Sequence, residues 1–366
     1  MDPYAATLEH EQVLVRRGER SGLFTIVAVH STARGPSLGG CRMWPYDDAR
    51  AALRDALRLS RAMTYKAAVA DLPLGGGKGV IMLRPGTVMT ARRRRAALED
   101  FADTVDAVNG AYLTAEDVGT SARDMDVIAS RTAHVSGRAR RHGGSGDPSP
   151  STALGVEAAV LASLERVFPG GRMQDRSAAI VGLGHVGLRL AKLLARRGVT
   201  LMVNDIDPAR RMDADRLGAR WVTAAEALTA PVDVYCPCAL GGVLDHETAL
   251  GVQAPVIAGA ANNQLASDDV AALLHRRGIL WAPDFVVNAG GIINIAVELT
   301  GKGYDPKRAR ADVRAIAGTL EAIYDDAASA DVPPLTAALA LAERRLAQAL
   351  RADGSRASDL TRTTPA

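Results

Sequence analysis

The stretch IVGLGHVGLRLAKLLARRGVTLMVND, residues 180–205, limits the fold of this chain more than any other. An apolar run leads into glycines at Gly182, Gly184 and Gly187, an apolar-periodic helix follows, and a second short strand ends at Asp205. In such a turn the first glycine allows the tight bend, the second lets backbone approach a pyrophosphate, and the third lets helix pack on strand. A GxGxxG alone is weak, but here it has a strand before it, a helix after it and an acid about twenty residues on. Asp205 would accept hydrogen bonds from a ribose 2′-OH and repel a 2′-phosphate, which predicts NAD; Arg210 and Arg211 nearby are the counter-signal. The pyrophosphate would rest on the helix N-terminus, where unpaired N–H groups favour negative charge. His185 and Val186, inside the loop, would line the cofactor, His185 as a spectator rather than a catalyst.

Three later segments, around 232–242, 254–264 and 279–291, are apolar runs ending in small or amide residues, as strand-end loops of the same sheet would be. Carboxyl ends of parallel strands face the ligand crevice, which nominates Ala239, Asn262, Asn263 and Asn288, although each asparagine reads equally well as a turn residue. After Gly290-Gly291 a helical period aligns Ile292, Ile295, Ala296 and Leu299 on one face, and periodicity alone makes that face core.

The full length of 366 residues exceeds one ordinary core of about 100–200 residues and predicts two α/β domains with a cleft between them. Aromatics at 4% are too few for a base-stacking platform, and the formal charge of +3 is a mild excess; both argue against nucleic acid. The densest basic block, Arg92 to Arg95, has Glu99 and Asp100 close behind and reads as a solvated or subunit-facing surface. No run is apolar enough to span a bilayer, and the N-terminus lacks a basic start followed by an apolar stretch. Cys41, Cys236 and Cys238 fit neither a disulfide scaffold nor a metal site, so no metal is expected and a reducing cytoplasm is.

Among 44 basic residues only Lys66, Lys78, Lys192, Lys302 and Lys307 are lysines. Lysine, unlike arginine, can lose its proton at workable pH when desolvated, so the pair Lys66 and Lys78 flanking Gly75, Gly76 and Gly77 stands out. Asp47 and Asp48 open a helical segment that carries Lys66 near its C-terminal end. The triple glycine permits positive φ and close approach of backbone to a ligand, and Lys78 reads as lying on a tight turn before a buried strand, Val80 to Leu83. A nucleotide P-loop is excluded, because Leu72 and Gly79 stand where it needs glycine and a hydroxyl residue.

Together GPSLGGCRMW (35–44), MTYKAAVADLPLGGGKGVI (63–81), TAEDVGTSARDMD (114–126), GSGDPSPSTALGV (144–156), GLGHVG (182–187), GAANNQ (259–264) and PDFVVNAGGIIN (283–294) resemble the family of glutamate, leucine, valine and phenylalanine dehydrogenases. The resemblance implies a substrate-binding and oligomerisation domain over 1–148 and a Rossmann-type NAD domain over 149–330; the apolar stretch at about 331–352 reads as a helix packing back on the first domain, and the polar 353–366 as a disordered tail. It implies a homo-oligomer acting on a small-molecule amino acid, 2-oxo acid and ammonia. By the same resemblance Lys66, with backbone at Gly39 and Gly40, binds the substrate carboxylate; Lys78 is the general base toward water; and Asp117 relays protons to the amino group. Arg42 and Thr152 fall near the nicotinamide end, and Asn262 and Asn288 near substrate and nicotinamide. Lys78 must be neutral for part of such a cycle, which burial and the charge of Lys66 would favour. A glycine-rich stretch at the domain join, residues 141–152, suggests closure about a hinge.

Glutamate dehydrogenases of the family hold the side-chain carboxylate with a lysine and a serine, where this chain has Leu38 and Ile295. An unpartnered second carboxylate would cost roughly several kcal/mol, so glutamate is excluded. The resemblance also puts Ala115 and Ile292 on the pocket, and β-branched Ile292 with Leu38 favours leucine, valine or isoleucine. Two other functions stay open: an aromatic amino-acid dehydrogenase in a biosynthetic pathway, and a non-catalytic NAD-binding regulator.

Overall fold

In the computed structural model the described residues are 8–301 and 303–362, with side chains described through Arg351. They form two α/β units. The first comprises Met1–Asp147, Ile295–Asp305 and Ala342–Ala366; the second comprises Pro148–Asn294 and Pro306–Leu341.

The first unit is built on a mixed sheet of β1 (Gln12–Arg17), β2 (Phe24–Ser31), β3 (Ser37–Pro45), β4 (Gly75–Leu83) and β5 (Tyr112–Glu116), in the order β1-β2-β4-β3-β5. Side chains alternate across a strand, and both faces of this sheet are apolar. Val27, Val29 and Ile81 join Leu98, Phe101 and Val105 of the helix Ala91–Asp106 in one core. Ile26, Ala28 and Val80 turn the other way, onto Ala52, Ala56 and Leu57 of the helix Ala49–Val69. That helix starts where its sequence says it should, with the Asp48 side chain accepting from Ala51 N at 2.7 Å.

Lys78 does not lie on a turn. Gly75, Gly76 and Gly77 belong to β4, the central strand, and none has positive φ. They are small for steric reasons: a Cβ at Gly76 would overlap the backbone of Thr64, and one at Gly77 would come within 2.6 Å of the Tyr112 ring. The helix carrying Lys66 thus packs directly on the strand carrying Lys78.

His10 and His30 meet edge to face beside the same helix, ring centroids 4.9 Å apart. His10 Nε2 lies 2.8 Å from Ser60 Oγ, and His30 Nδ1 lies 2.8 Å from Thr64 Oγ1. Burial, with the charges of His10 and Arg61, pushes the His30 imidazole down to about 4 from its ordinary 6.5. The unfolded chain takes up that proton first, so stability is lost as pH falls through 6.5 and this loss levels off below about 4. Thermal unfolding followed across that range is expected to show a falling Tm in wild type and a shallower fall in His30→Gln; equal slopes would place the acid lability elsewhere.

The second unit holds a wholly parallel sheet of β6 (Ser177–Val181), β7 (Thr200–Asn204), β8 (Arg220–Trp221), β9 (Val234–Pro237), β10 (Val256–Ile257) and β11 (Leu280–Trp281). Its order, β11-β10-β9-β6-β7-β8, is that of the doubly wound dinucleotide fold, with the switch point between β6 and β9. The helix Gly290–Glu298 passes from this unit into the first between Asn294 and Ile295. The tail differs from expectation: the last helix runs from Pro334 through Arg362, with residues 363–366 outside the described residues. Residues 353–362 contain one glycine and no proline, so nothing in them stops a helix already propagating. Among the described residues no helix is long and apolar enough to cross a membrane.

Candidate active site

Lys78 projects from β4 and Asp117 follows β5, with β3 lying between these strands. Lys78 is only 5% exposed, yet its Nζ donates to Asp117 Oδ2 at 2.5 Å. They can meet because β3 has glycines here. A Cβ at Gly40 would come 2.5 Å from the Asp117 Cβ, and one at Gly39 would overlap the Gly77 carbonyl oxygen. The sequence blocks GPSLGG and LGGGKG are therefore two halves of one steric solution that leaves space for a buried lysine and its aspartate.

Asp117 is held on every side. Its backbone N–H donates to Thr120 Oγ1 at 3.0 Å, and that hydroxyl donates to Cys41 O at 2.8 Å. Arg42 Nε donates to the same Oδ2 at 3.1 Å, while its Nη1 donates to Asp55 Oδ2 at 2.8 Å. Asp55 also accepts from Tyr46 OH at 2.7 Å and from Arg58 Nη2 at 3.0 Å. Burial alone would raise the Asp117 carboxyl, but the charges of Lys78 and Arg42 and the hydrogen bond from Lys78 outweigh it and hold the group at about 2. Asp117 is accordingly a carboxylate at neutral pH, an acceptor in contact with the buried Lys78 Nζ.

Lys66 is half-buried in the last turn of the helix Ala49–Val69. Leu38 on β3 and Ala115 on β5 are 2% and 4% exposed. Ala115 and Ile295 come together at Gly137: a Cβ built there would lie 3.7 Å from Ala115 Cβ and 3.9 Å from Ile295 Cδ1. Ile295 and Ile292 share one helix and are both buried, but Ile292 belongs to the second unit.

In the second unit the three loop glycines separate by function. Gly182 has φ of +100° and a Cβ there would come 2.8 Å from Ala239 N, which locks the loop after β6 to the loop after β9. A Cβ at Gly187 would overlap the Gly182 carbonyl oxygen. At Gly184 no atom lies within 4 Å of where a Cβ would stand, the open approach that a pyrophosphate needs. His185 is exposed, with its carbonyl oxygen accepting from Arg189, and Val186 precedes the helix Gly187–Arg196. Asp205 Oδ2 accepts from Leu183 N at 2.6 Å and Oδ1 from Asp207 N at 2.9 Å, so the acid also shapes the loop. Arg210 pairs with Asp213 and Arg211 lies over the Trp221 ring.

The other nominated residues of this unit also cluster. Ala239 is exposed just past β9. Asn288 Nδ2 donates to Asn262 Oδ1 at 2.8 Å and to Ala260 O at 3.2 Å, while Asn288 Oδ1 is buried without a protein partner. Such an acceptor is worth about 1–3 kcal/mol to a ligand donor, and a carboxamide N–H would supply one. Gln264, fully buried, fixes the loop by donating to Gly259 O and Ala261 O and accepting from Trp281 Nε1. Thr152 sits in the first turn of the helix Ser149–Val167, and a Cβ at Gly291 would come 3.1 Å from its Oγ1. These residues fit a dinucleotide carrying a carboxamide.

Two family models match the chain, the dimerisation domain of Glu/Leu/Phe/Val dehydrogenases over residues 9–134 and the glutamate/leucine/phenylalanine/valine dehydrogenase model over residues 210–354. Leucine dehydrogenase of Bacillus subtilis (strain 168) is 41% identical over 344 residues, covering 94% of this chain and 93% of the relative. The chain belongs to the Glu/Leu/Phe/Val dehydrogenase family. As a family member it is an amino-acid dehydrogenase, an oxidoreductase acting on CH–NH2 donors. Valine dehydrogenase of Streptomyces albus is 41% identical over 344 residues, covering 93% of each chain. L-tryptophan dehydrogenase of Nostoc punctiforme is 42% identical over 344 residues, covering 93% of this chain and 95% of the relative. A crystal structure of an L-tryptophan dehydrogenase from Nostoc punctiforme superposes with a TM-score of 0.81 at 38% identity, covering 94% of this chain and 97% of that one.

Asp55, Tyr46 and Thr120, which orient the Lys78–Asp117–Arg42 group, were not nominated by the sequence of this dehydrogenase. Asp55 lies in an arginine-rich amphipathic helix where an acid looks like ordinary surface. Arg42, nominated for the cofactor, is engaged here by Asp117 and Asp55.

Proposed function

We propose that this enzyme oxidatively deaminates a small aliphatic L-amino acid with NAD, and runs the reverse reductive amination. The observation that carries the reading is the buried Lys78–Asp117 pair, in a unit that also presents Lys66. Lys66, with backbone N–H groups of the Gly39-Gly40 segment, would bind the substrate carboxylate and fix Cα. When bound, the nicotinamide supplies the hydride acceptor for Cα–H. The resulting iminium is open to water, and Lys78 in its neutral form would accept a proton from that water as it adds, giving a carbinolamine. Asp117 would then relay the proton held on Lys78 to the amino group, and Cα–N breaks as the carbinol hydroxyl passes its own proton to Lys78 and closes to the carbonyl of the 2-oxo acid. Binding both reactants in fixed geometry supplies much of the remaining rate.

NAD rather than NADP is supported by Asp205 at the end of β7, and by the engagement of Arg210 with Asp213 and of Arg211 with Trp221. The exclusion of glutamate is supported by Leu38, Ala115 and Ile295, none of which could partner a second carboxylate. Self-association is supported by the match to a dimerisation domain.

The test is kcat/KM for L-valine, L-leucine, L-isoleucine, L-phenylalanine, L-tryptophan and L-glutamate, each with NAD and with NADP. The expected result is turnover of the three aliphatic substrates with NAD and none of glutamate. Tryptophan as the best substrate would replace the aliphatic reading with the aromatic one, and NADP preference would overturn the role given to Asp205. Binding of NADH without turnover of any substrate would favour a regulatory protein.

A further inference from the structure

Gly137 lies in the segment between β5 and the helix Ser149–Val167, outside every sequence block that points to the site. Three contacts fix it. Ser136 N donates to Thr114 O at 2.8 Å, in a bridge that lays residues 135–136 along β5. Gly137 N donates to Glu298 Oε2 at 3.1 Å, and Ser145 N donates to the same oxygen at 2.8 Å. One carboxylate oxygen therefore gathers both ends of the 137–145 loop, and it comes from the helix that carries Ile295. Gly137 itself has φ of +67° and faces Ala115 and Ile295, at ordinary van der Waals distance for an added methyl.

We propose that Gly137 is a specificity-determining residue: its missing side chain sets how long a substrate side chain the enzyme accepts between Ala115 and Ile295, and Glu298 is the positioning residue that holds it there. The inference rests on the reading of Ala115 and Ile295 as substrate pocket. Because the loop is pinned on both sides of residue 137, a side chain added there cannot swing away and must take space from the substrate.

The test is Gly137→Ala, with kcat/KM measured on valine, leucine, phenylalanine and tryptophan and expressed as the ratio of the largest accepted substrate to the smallest. A ratio taken within one preparation does not depend on how much of it is folded. One methyl in an apolar pocket is worth a factor of about 10 or more, so for leucine against valine the ratio is expected to fall at least that far. Gly143→Ala is the control, because Gly143 has φ of +81° in the same loop but no atom within 4 Å of a Cβ. It should leave the ratio at its wild-type value. An unchanged ratio in Gly137→Ala overturns the proposal while leaving the deamination reading intact, as does an equal fall in Gly143→Ala, which would mean loop strain. A wild-type preference for tryptophan removes the aliphatic reading but still requires the ratio to fall. Wild-type protein that turns over none of the four sinks the functional reading and this inference together.

Discussion

Replacing Lys78 with alanine is expected to lower kcat for deamination by about 10²–10⁴, the range for removing a positioned general base, while NADH binding stays within a few-fold of wild type. The split follows from the architecture, since Lys78 lies on the central strand of the first unit and the dinucleotide loop lies in the second. The variant should still fold, because Asp117 keeps the hydrogen bond from Arg42 Nε at 3.1 Å. Lys78→Arg sharpens the test: it restores positive charge beside Asp117, yet a guanidinium cannot give up its proton near neutral pH. If charge alone mattered, arginine would rescue; the proton role predicts that it does not. Stopped-flow NADH binding and steady-state rates on both variants separate the cases, and an arginine variant with near wild-type kcat would remove Lys78 as the base.

The second large effect is on stability. A Cβ at Gly39 would overlap the Gly77 carbonyl oxygen, a backbone atom of the neighbouring strand that no rotamer change can move. Gly39→Ala should therefore cost about 3 kcal/mol or more, at the upper end of overpacking, and lower Tm by on the order of 10 °C. Gly86→Ala is the comparison. Gly86 has φ of +76° but nothing within 4 Å of a Cβ, so only the backbone term of about 1–2 kcal/mol applies. Calorimetry on the two variants checks this, and equal melting temperatures would mean that β3 yields more easily than its contacts imply.

The glycines show where sequence carried the structure and where it did not. At Gly182, Gly184 and Gly187 the spacing within a strand–turn–helix pattern has one physical meaning, and the three have the geometry that the pattern predicts. At Gly75, Gly76 and Gly77 the letters alone do not distinguish a glycine that supplies positive φ from one that makes room for a neighbour, and the turn expected there is a strand. Lys66, Lys78 and Asp117 stand out in the sequence because lysine is scarce in this chain and because the blocks around them resemble a known family, and the fold brings Lys78 and Asp117 together. Asp55, Tyr46, Thr120 and Gly137 carry no such signal. They act through partners 9, 3 or more positions away in sequence, or on other strands, and only folding shows whom a common polar residue or a lone glycine will face.

In the proposed reaction the bond broken is Cα–H of an aliphatic L-amino acid, and its hydrogen goes to NAD. Incubating the enzyme with NAD and L-leucine deuterated at Cα, then weighing the NADH by mass spectrometry, tests it most directly. One deuterium is expected in each NADH formed, with 4-methyl-2-oxopentanoate and ammonia in equal amount. NADH without deuterium, or loss of the label to water without NADH, would contradict it.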